Sequence, residues 1–163
     1  MNDVAGDPAA FAAKSVYNLL VERLRDDQGV HAETALCAAG AITGDAIAAH
    51  SVASAEPAAT TVSRVLAYIR ERCTLLSVVL PETDESDSAS GSTRDAASLA
   101  NELRAGVLEV VGRFGQPPNE VPFVLARCIP ALLSNTSAVL DPRVGYGIAL
   151  QALRSTAVSP RLD

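Results

Sequence analysis

Residues 35 to 49, Ala-Leu-Cys-Ala-Ala-Gly-Ala-Ile-Thr-Gly-Asp-Ala-Ile-Ala-Ala, are apolar or small almost without interruption. Only Thr43 and Asp45 break the run. A helix that is apolar on all sides is usually buried at the centre of a protein. We therefore predict a central helix from about Val30 to Ser54, around which the other elements pack.

Two glycines of this stretch, Gly40 and Gly44, lie four residues apart and so share one helix face. Such a pair of small residues lets another helix backbone come close. Two alternatives follow: the partner helix belongs to the same chain, or it belongs to a second copy in a homodimer. Two-fold dimers are the commonest soluble oligomers, which keeps the second alternative open.

Five further helices are predicted from apolar residues at helical spacing. Asp-Pro pairs at residues 7–8 and 141–142 start the first and last, because the carboxylate caps free amides and proline suits the first helical position. The remaining boundaries are a stop near Gly29, a third helix from about residue 58, a fourth capped by Ser92 or Thr93 and ended by Gly115, and a fifth from about residue 119 with a kink at Pro130.

The predicted fold is all-α: one domain over residues 1–163, an irregular bundle of about six helices with one long acidic, Ser-rich loop at residues 81–92. A symmetric four-helix bundle is the alternative if two helices are peripheral. Residues 74–80 are β-branched enough for a strand. We prefer a helix there, because the sequence offers no partner strand.

The net charge of −6 and pI of about 4.9, with no dense Lys or Arg run, argue against nucleic acid and anionic membrane surfaces as partners. The central apolar stretch is too short and interrupted to span a bilayer. Three widely spaced cysteines indicate buried free thiols in a reducing compartment, and the amino terminus lacks the pattern of a secretory signal. We predict a cytoplasmic protein.

Four polar side chains are the candidate ligand-binding residues: His31, Glu33, Asp45 and, from the last helix, Tyr146. Asp45 stands out because a carboxylate among apolar neighbours must be paired, shifted in pKa or exposed at a cleft. No metal site is predicted, since HExxH, ExxH and histidines four residues apart are all absent.

No catalytic residue and no cofactor are predicted either. A Gly-x-Ser-x-Gly elbow is absent, and Cys37 lies six residues from His31, which places them on different helix faces. Gly145-Tyr146-Gly147 lacks the preceding strand of a phosphate-binding loop, so we expect it to serve helix packing.

The first functional hypothesis is therefore a non-enzymatic protein that acts through protein–protein contacts, with itself or with another chain. The alternative is a small-molecule-binding or enzymatic domain with a pocket near the second helix. A second alternative, an acidic inhibitor or immunity-type partner of a basic protein, rests on the net charge and the acidic run of residues 82–87.

Overall fold

A computed structural model describes residues 7–84 and 95–158. Within these ranges the six predicted helices are present, the fifth divided in two, and no strand forms. The all-α prediction is confirmed. The helices are α1 (Pro8–Leu24), α2 (Ala32–Ser54), α3 (Ala58–Leu75), α4 (Ala96–Arg113), α5 (Val121–Ala126), α6 (Cys128–Asn135) and α7 (Pro142–Val158).

The predicted central helix is α2. Residues 35–44 of α2 are buried without a break, and the helix contacts each of the other described helices. Buried apolar residues of the six other helices join those of α2 in one hydrophobic core. The composition of the stretch thus places α2 at the centre, because no face of it could be left in water at low cost.

The main partner of α2 is α7, which runs parallel to it. Gly40 packs against the backbone of Ala149, and Gly44 packs one turn further along against Leu153 and Thr156. The Thr156 hydroxyl donates a hydrogen bond of 2.9 Å to the Ala41 carbonyl across the same contact. The face that the two glycines share is therefore occupied within one chain and is not open to a second copy.

Local signals set most helix ends. The Asp7 carboxylate accepts a hydrogen bond from the Ala9 amide, as expected of the cap before Pro8, and Asp141 accepts one from the Arg143 amide at the start of α7. Gly115 ends α4 as predicted. Its φ is +65°, and the amides of Gly115 and Gln116 donate hydrogen bonds to carbonyls of the last turn of α4. The start of α4 differs: Asp95 caps it through the Ser98 amide, and Ser92 and Thr93 lie outside the described residues.

Three boundaries correct the predictions. Helix α1 ends at Leu24, five residues before the predicted stop at Gly29. Helix α3 ends at Leu75, so residues 76–80 are neither helix nor strand. Ser77 adopts a left-handed conformation, and the Val78 amide bonds the Cys73 carbonyl in a Schellman motif. The predicted kink at Pro130 is a break at Arg127, between α5 and α6. A proline ring clashes with the carbonyl four residues earlier, which places the distortion one turn before Pro130.

The length argument against a membrane helix was wrong. Helix α2 has 23 residues, and an 18-residue window within it has a mean hydropathy of 1.3. This is enough by length and composition alone to cross a bilayer, because the helix extends three residues before and five residues after positions 35–49. It is the one described helix that meets this test. In the fold, 67% of its apolar window is buried against other helices, as in the core helix of a globular bundle.

The start of the predicted acidic loop, residues 81–84, is held against the helices by hydrogen bonds, whereas the composition predicted a solvated segment. Arg70 of α3 donates to the Pro81 carbonyl at 2.8 Å and to the Asp84 carboxylate, and Arg154 of α7 donates to the Asp84 carbonyl at 2.8 Å. Residues 85–92 of the loop lie outside the described residues.

We expect Gly40→Ala to destabilise the protein by at least about 2–3 kcal/mol, because the added Cβ would overlap the Ala149 carbonyl oxygen and the rigid backbone cannot yield cheaply. The matched control is Gly112→Ala in α4, where the Cβ meets no atom within 4 Å. There alanine should raise the free energy of unfolding by roughly 0.5–1 kcal/mol. Urea unfolding compares the two, and an equal effect at both positions would contradict the close approach of α2 and α7.

Candidate functional site

Asp45 is paired with Arg104 of α4. The Arg104 Nε and Nη2 donate to the two carboxylate oxygens at 2.9 and 2.7 Å, a bidentate arrangement. The Asp45 side chain is only 14% exposed and that of Arg104 only 22%. Charge-assisted bonds of this geometry fix both groups in orientation. The sequence predicted that Asp45 is paired, shifted in pKa or exposed at a cleft. The contact with Arg104 shows that it is paired, and the space beside the pair shows whether it also lies at a cleft.

The pair lies at the edge of an apolar cavity of about 240 Å³ between α2, α4 and α5. Of its twelve lining residues, nine are apolar and three are polar, the latter being Asp45, His50 and Arg104. The apolar lining consists of Ile42, Ala46, Ala49 and Ala53 of α2, Val107 and Leu108 of α4, and Pro118, Val121 and Leu125 in and before α5.

The cavity exists because α2 presents alanines on this side. Ile42, Ala46, Ala49 and Ala53 recur at helical spacing and form one stripe. Three of the four side chains are single methyl groups, which cannot reach across to α4 and α5. This stripe is the sequence signal for the cavity. It was hidden because α2 is apolar on nearly all of its faces.

A second, polar cavity of about 510 Å³ lies between the same end of α2 and the helices α1, α3 and α5. It shares one residue, His50, with the apolar cavity. Eight of its eleven lining residues are polar: His50, Ser54, Glu56, Arg64, Tyr68, Asn119, Glu120 and Arg127. The sequence analysis identified none of them as ligand-binding residues.

Hydrogen bonds organise the polar cavity. Glu56 accepts a bond of 2.7 Å from the Thr61 hydroxyl and pairs with Arg64. These two interactions, the Thr61 bond first, hold the pKa of the Glu56 carboxyl below its usual value. On the other wall, the Arg127 Nε donates to the Tyr68 hydroxyl at 2.8 Å. The Glu56 carboxylate is therefore ionised at neutral pH, and it is already bonded to Thr61 and Arg64.

His50 and Ser54 approach one another in this cavity, with 3.5 Å between the imidazole Nε2 and the hydroxyl oxygen. The Ser54 hydroxyl donates its proton to the His50 carbonyl at 2.7 Å. General-base activation requires the hydroxyl to donate to the imidazole instead. In this conformation the two side chains do not form a nucleophile–base pair.

The four predicted ligand-binding residues do not converge. His31 contacts Asp26 at 3.1 Å in an exposed turn, and Glu33 is exposed at the start of α2. Because α7 runs parallel to α2 with Ala149 beside Gly40, Tyr146 lies about two turns, or roughly 12 Å, along the helix pair from the level of Asp45. The predicted pocket that joins Asp45 to His31 and Tyr146 is therefore not formed.

Tyr146 instead belongs to a cluster with Arg70 and Asp84 that holds residues 81–84 against the helices. It is only 2% exposed, and its hydroxyl donates to the Asp84 Oδ1 at 2.6 Å, while the Arg70 guanidinium lies 5.4 Å above its ring. Burial and then the Asp84 carboxylate raise the pKa of Tyr146 well above its usual value. Burial also raises the pKa of Asp84, but the bonds from Tyr146 and Arg70 outweigh it and leave that pKa lowered.

The three cysteines are buried and form no disulfide, as predicted. Burial raises the pKa of the Cys73 thiol to about 11 and that of Cys128 to about 12. Both stay protonated at neutral pH and are poor nucleophiles. Across residues 7–84 and 95–158, no group of three or more His, Cys, Asp or Glu side chains is placed to hold a metal ion.

No protein-family model, curated protein or solved structure matches this chain. The interpretation of the site therefore depends on its geometry.

Asp45→Asn and Arg104→Gln should each destabilise the protein by about 1–3 kcal/mol, because each leaves a largely buried polar partner without its charged counterpart. The double variant should lose less than the sum of the two. Urea unfolding of the four proteins gives the coupling energy directly. If the losses in free energy of unfolding of the two single variants simply added up in the double variant, the bidentate pair would be contradicted.

Asp84→Asn should lower stability at pH 7, and its difference from the wild type should shrink as the pH falls from about 5 to about 3. The pKa of Asp84 is lowered in the folded state, so the carboxylate contributes stability above its unfolded pKa, and this contribution is lost as the folded-state group takes up its proton. Unfolding of both proteins is compared across this range, with Asp27→Asn, in an exposed turn, as the control. A difference that persists unchanged to pH 3 would contradict the ionic contact.

Proposed function

We propose that this protein binds a small, mainly apolar molecule in the cavity between α2, α4 and α5. The observation that carries the proposal is the combination of a mostly aliphatic lining with a few fixed polar groups, Asp45, Arg104 and His50. Ligand sites in proteins have this composition, in which the apolar surface supplies affinity and the polar groups set orientation.

The volume limits the ligand. An engineered apolar cavity of about 150 Å³ binds benzene, so about 240 Å³ accommodates a ring or a short aliphatic chain. The cavity borders Leu108, a residue that is 53% exposed, so its lining reaches the protein surface on this side. The alanine stripe of α2 supports the same proposal, because it leaves space that the fold does not fill.

The hypothesis of action through protein contacts remains a separate proposal. It can no longer use the glycine pair of α2, which α7 covers. The acidic-inhibitor alternative depends on the acidic run of residues 82–87. One carboxylate of that run, Asp84, is already bonded to Arg70 and Tyr146, which weakens this alternative. A cytoplasmic location stays part of the proposal, supported by three cysteines that form no disulfide.

Benzene is the probe for the proposed site. We expect it to raise the free energy of unfolding by about 1.4 kcal/mol at ten times its dissociation constant, and to shift the amide resonances of residues around Ala49 and Arg104. Ala49→Leu should abolish both effects while the protein stays folded, because the larger side chain fills the cavity.

The matched control is Ala105→Leu, the same substitution at an exposed position of α4 next to Arg104. It should bind benzene as the wild type does. Equal binding by the Ala49→Leu protein, or no binding by the wild type, would refute the proposed site. The mass in solution, recorded for each protein, tests self-association independently.

A further inference from the structure

The apolar and polar cavities are neighbours on the same two helices. His50 lines both of them. Beyond it, neighbouring residues of α2 line different cavities: Ala53 lines the apolar cavity and Ser54 the polar one. On α5, Val124 lines the polar cavity and Leu125 the apolar one. Two spaces of opposite character therefore meet at one side chain.

We infer that the ligand is amphipathic, with a short hydrocarbon part in the apolar cavity and an uncharged polar head group in the polar cavity beside His50. The inference rests on the proposed function, since it requires the apolar cavity to bind a ligand. It adds the chemical class of that ligand and a second set of contacts.

The charges of the polar cavity favour an uncharged head group. Arg64 is paired with Glu56, and the Arg127 Nη1 lies 3.9 Å from the Asp7 carboxylate while its Nε donates to Tyr68. An anionic head group would have to compete with these carboxylates for the arginines.

A cationic head group would meet two guanidinium groups as well as the carboxylates of Glu56 and Glu120, so the lining offers it no net attraction. An amide or hydroxyl head group avoids both disadvantages, because it can exchange hydrogen bonds with Asn119 and His50 while the ion pairs stay intact.

Three compounds with the same six-carbon skeleton test the inference by titration calorimetry at pH 7: hexanamide, hexanoate and hexylammonium. We expect hexanamide to bind at least about tenfold more tightly than either charged compound, since hexanoate must compete with the carboxylates that already pair with the arginines and hexylammonium finds no net attraction. Butanamide should bind about 15-fold more weakly than hexanamide, because it leaves two methylene groups of apolar contact unmade.

Variants separate the two cavities. Asn119→Ala should weaken hexanamide several-fold and leave benzene unchanged, while Asn101→Ala, an exposed position of α4, should change neither. Ala49→Leu should remove the binding of both compounds.

The outcomes distinguish the inference from the proposed function. If benzene binds but the three head groups bind equally, if hexanoate or hexylammonium binds most tightly, or if Asn119→Ala has no effect on hexanamide, the inference is overturned and the apolar site stands. Hexanamide binding that survives Ala49→Leu also overturns it. Absence of benzene binding instead removes the proposed function itself.

Discussion

The contact on which the rest of the structure depends is the close approach of the α2 and α7 backbones at Gly40 and Gly44. Side chains at these positions would separate the two helices, whereas glycines allow the Ala149 and Leu153 carbonyls to lie against α2. Because α2 and α7 run parallel, the chain between them must return to its starting end before α7 can begin. The intervening helices make that return and cover the remaining faces of α2, which explains why α2 contacts every other described helix.

The same contact determines where the cavity can lie. Successive residues of a helix are about 100° apart, so Asp45 and Ala49 point about 100° and 140° away from Gly44. The glycine face belongs to α7, and the face with Asp45 and Ala49 is left to α4 and α5. On the glycine face, small residues bring helices into contact. On the other face, alanines stand opposite helices held at a greater distance, and space remains between them.

The parts of this structure that the sequence predicted are those with local causes. The cap before Pro8, the cap before Pro142 and the glycine stop at Gly115 depend on neighbours within a few residues, and the burial of α2 follows from its composition. The Asp45–Arg104 pair joins residues 59 apart, and its partner choice depends on which face of α2 remains after α7 has packed. The contact of Tyr146 with Asp84 was equally hidden, because Asp84 lies in a segment whose composition indicated a solvated loop. Both are contacts between polar residues far apart in the sequence, which local patterns do not reveal.

The position of the Asp45–Arg104 pair also bears on function. A largely buried ion pair contributes little net stability over a well-packed apolar pair of similar volume, because removing two charges from water offsets most of their attraction. Stability alone therefore gives little reason for charged residues beside an alanine-lined cavity. The proposed ligand would supply one, because an apolar cavity without fixed polar groups binds by size alone and imposes no orientation on what it holds. The bidentate geometry keeps both charged groups in fixed directions at the cavity edge, and His50 marks the point at which the lining changes from apolar to polar.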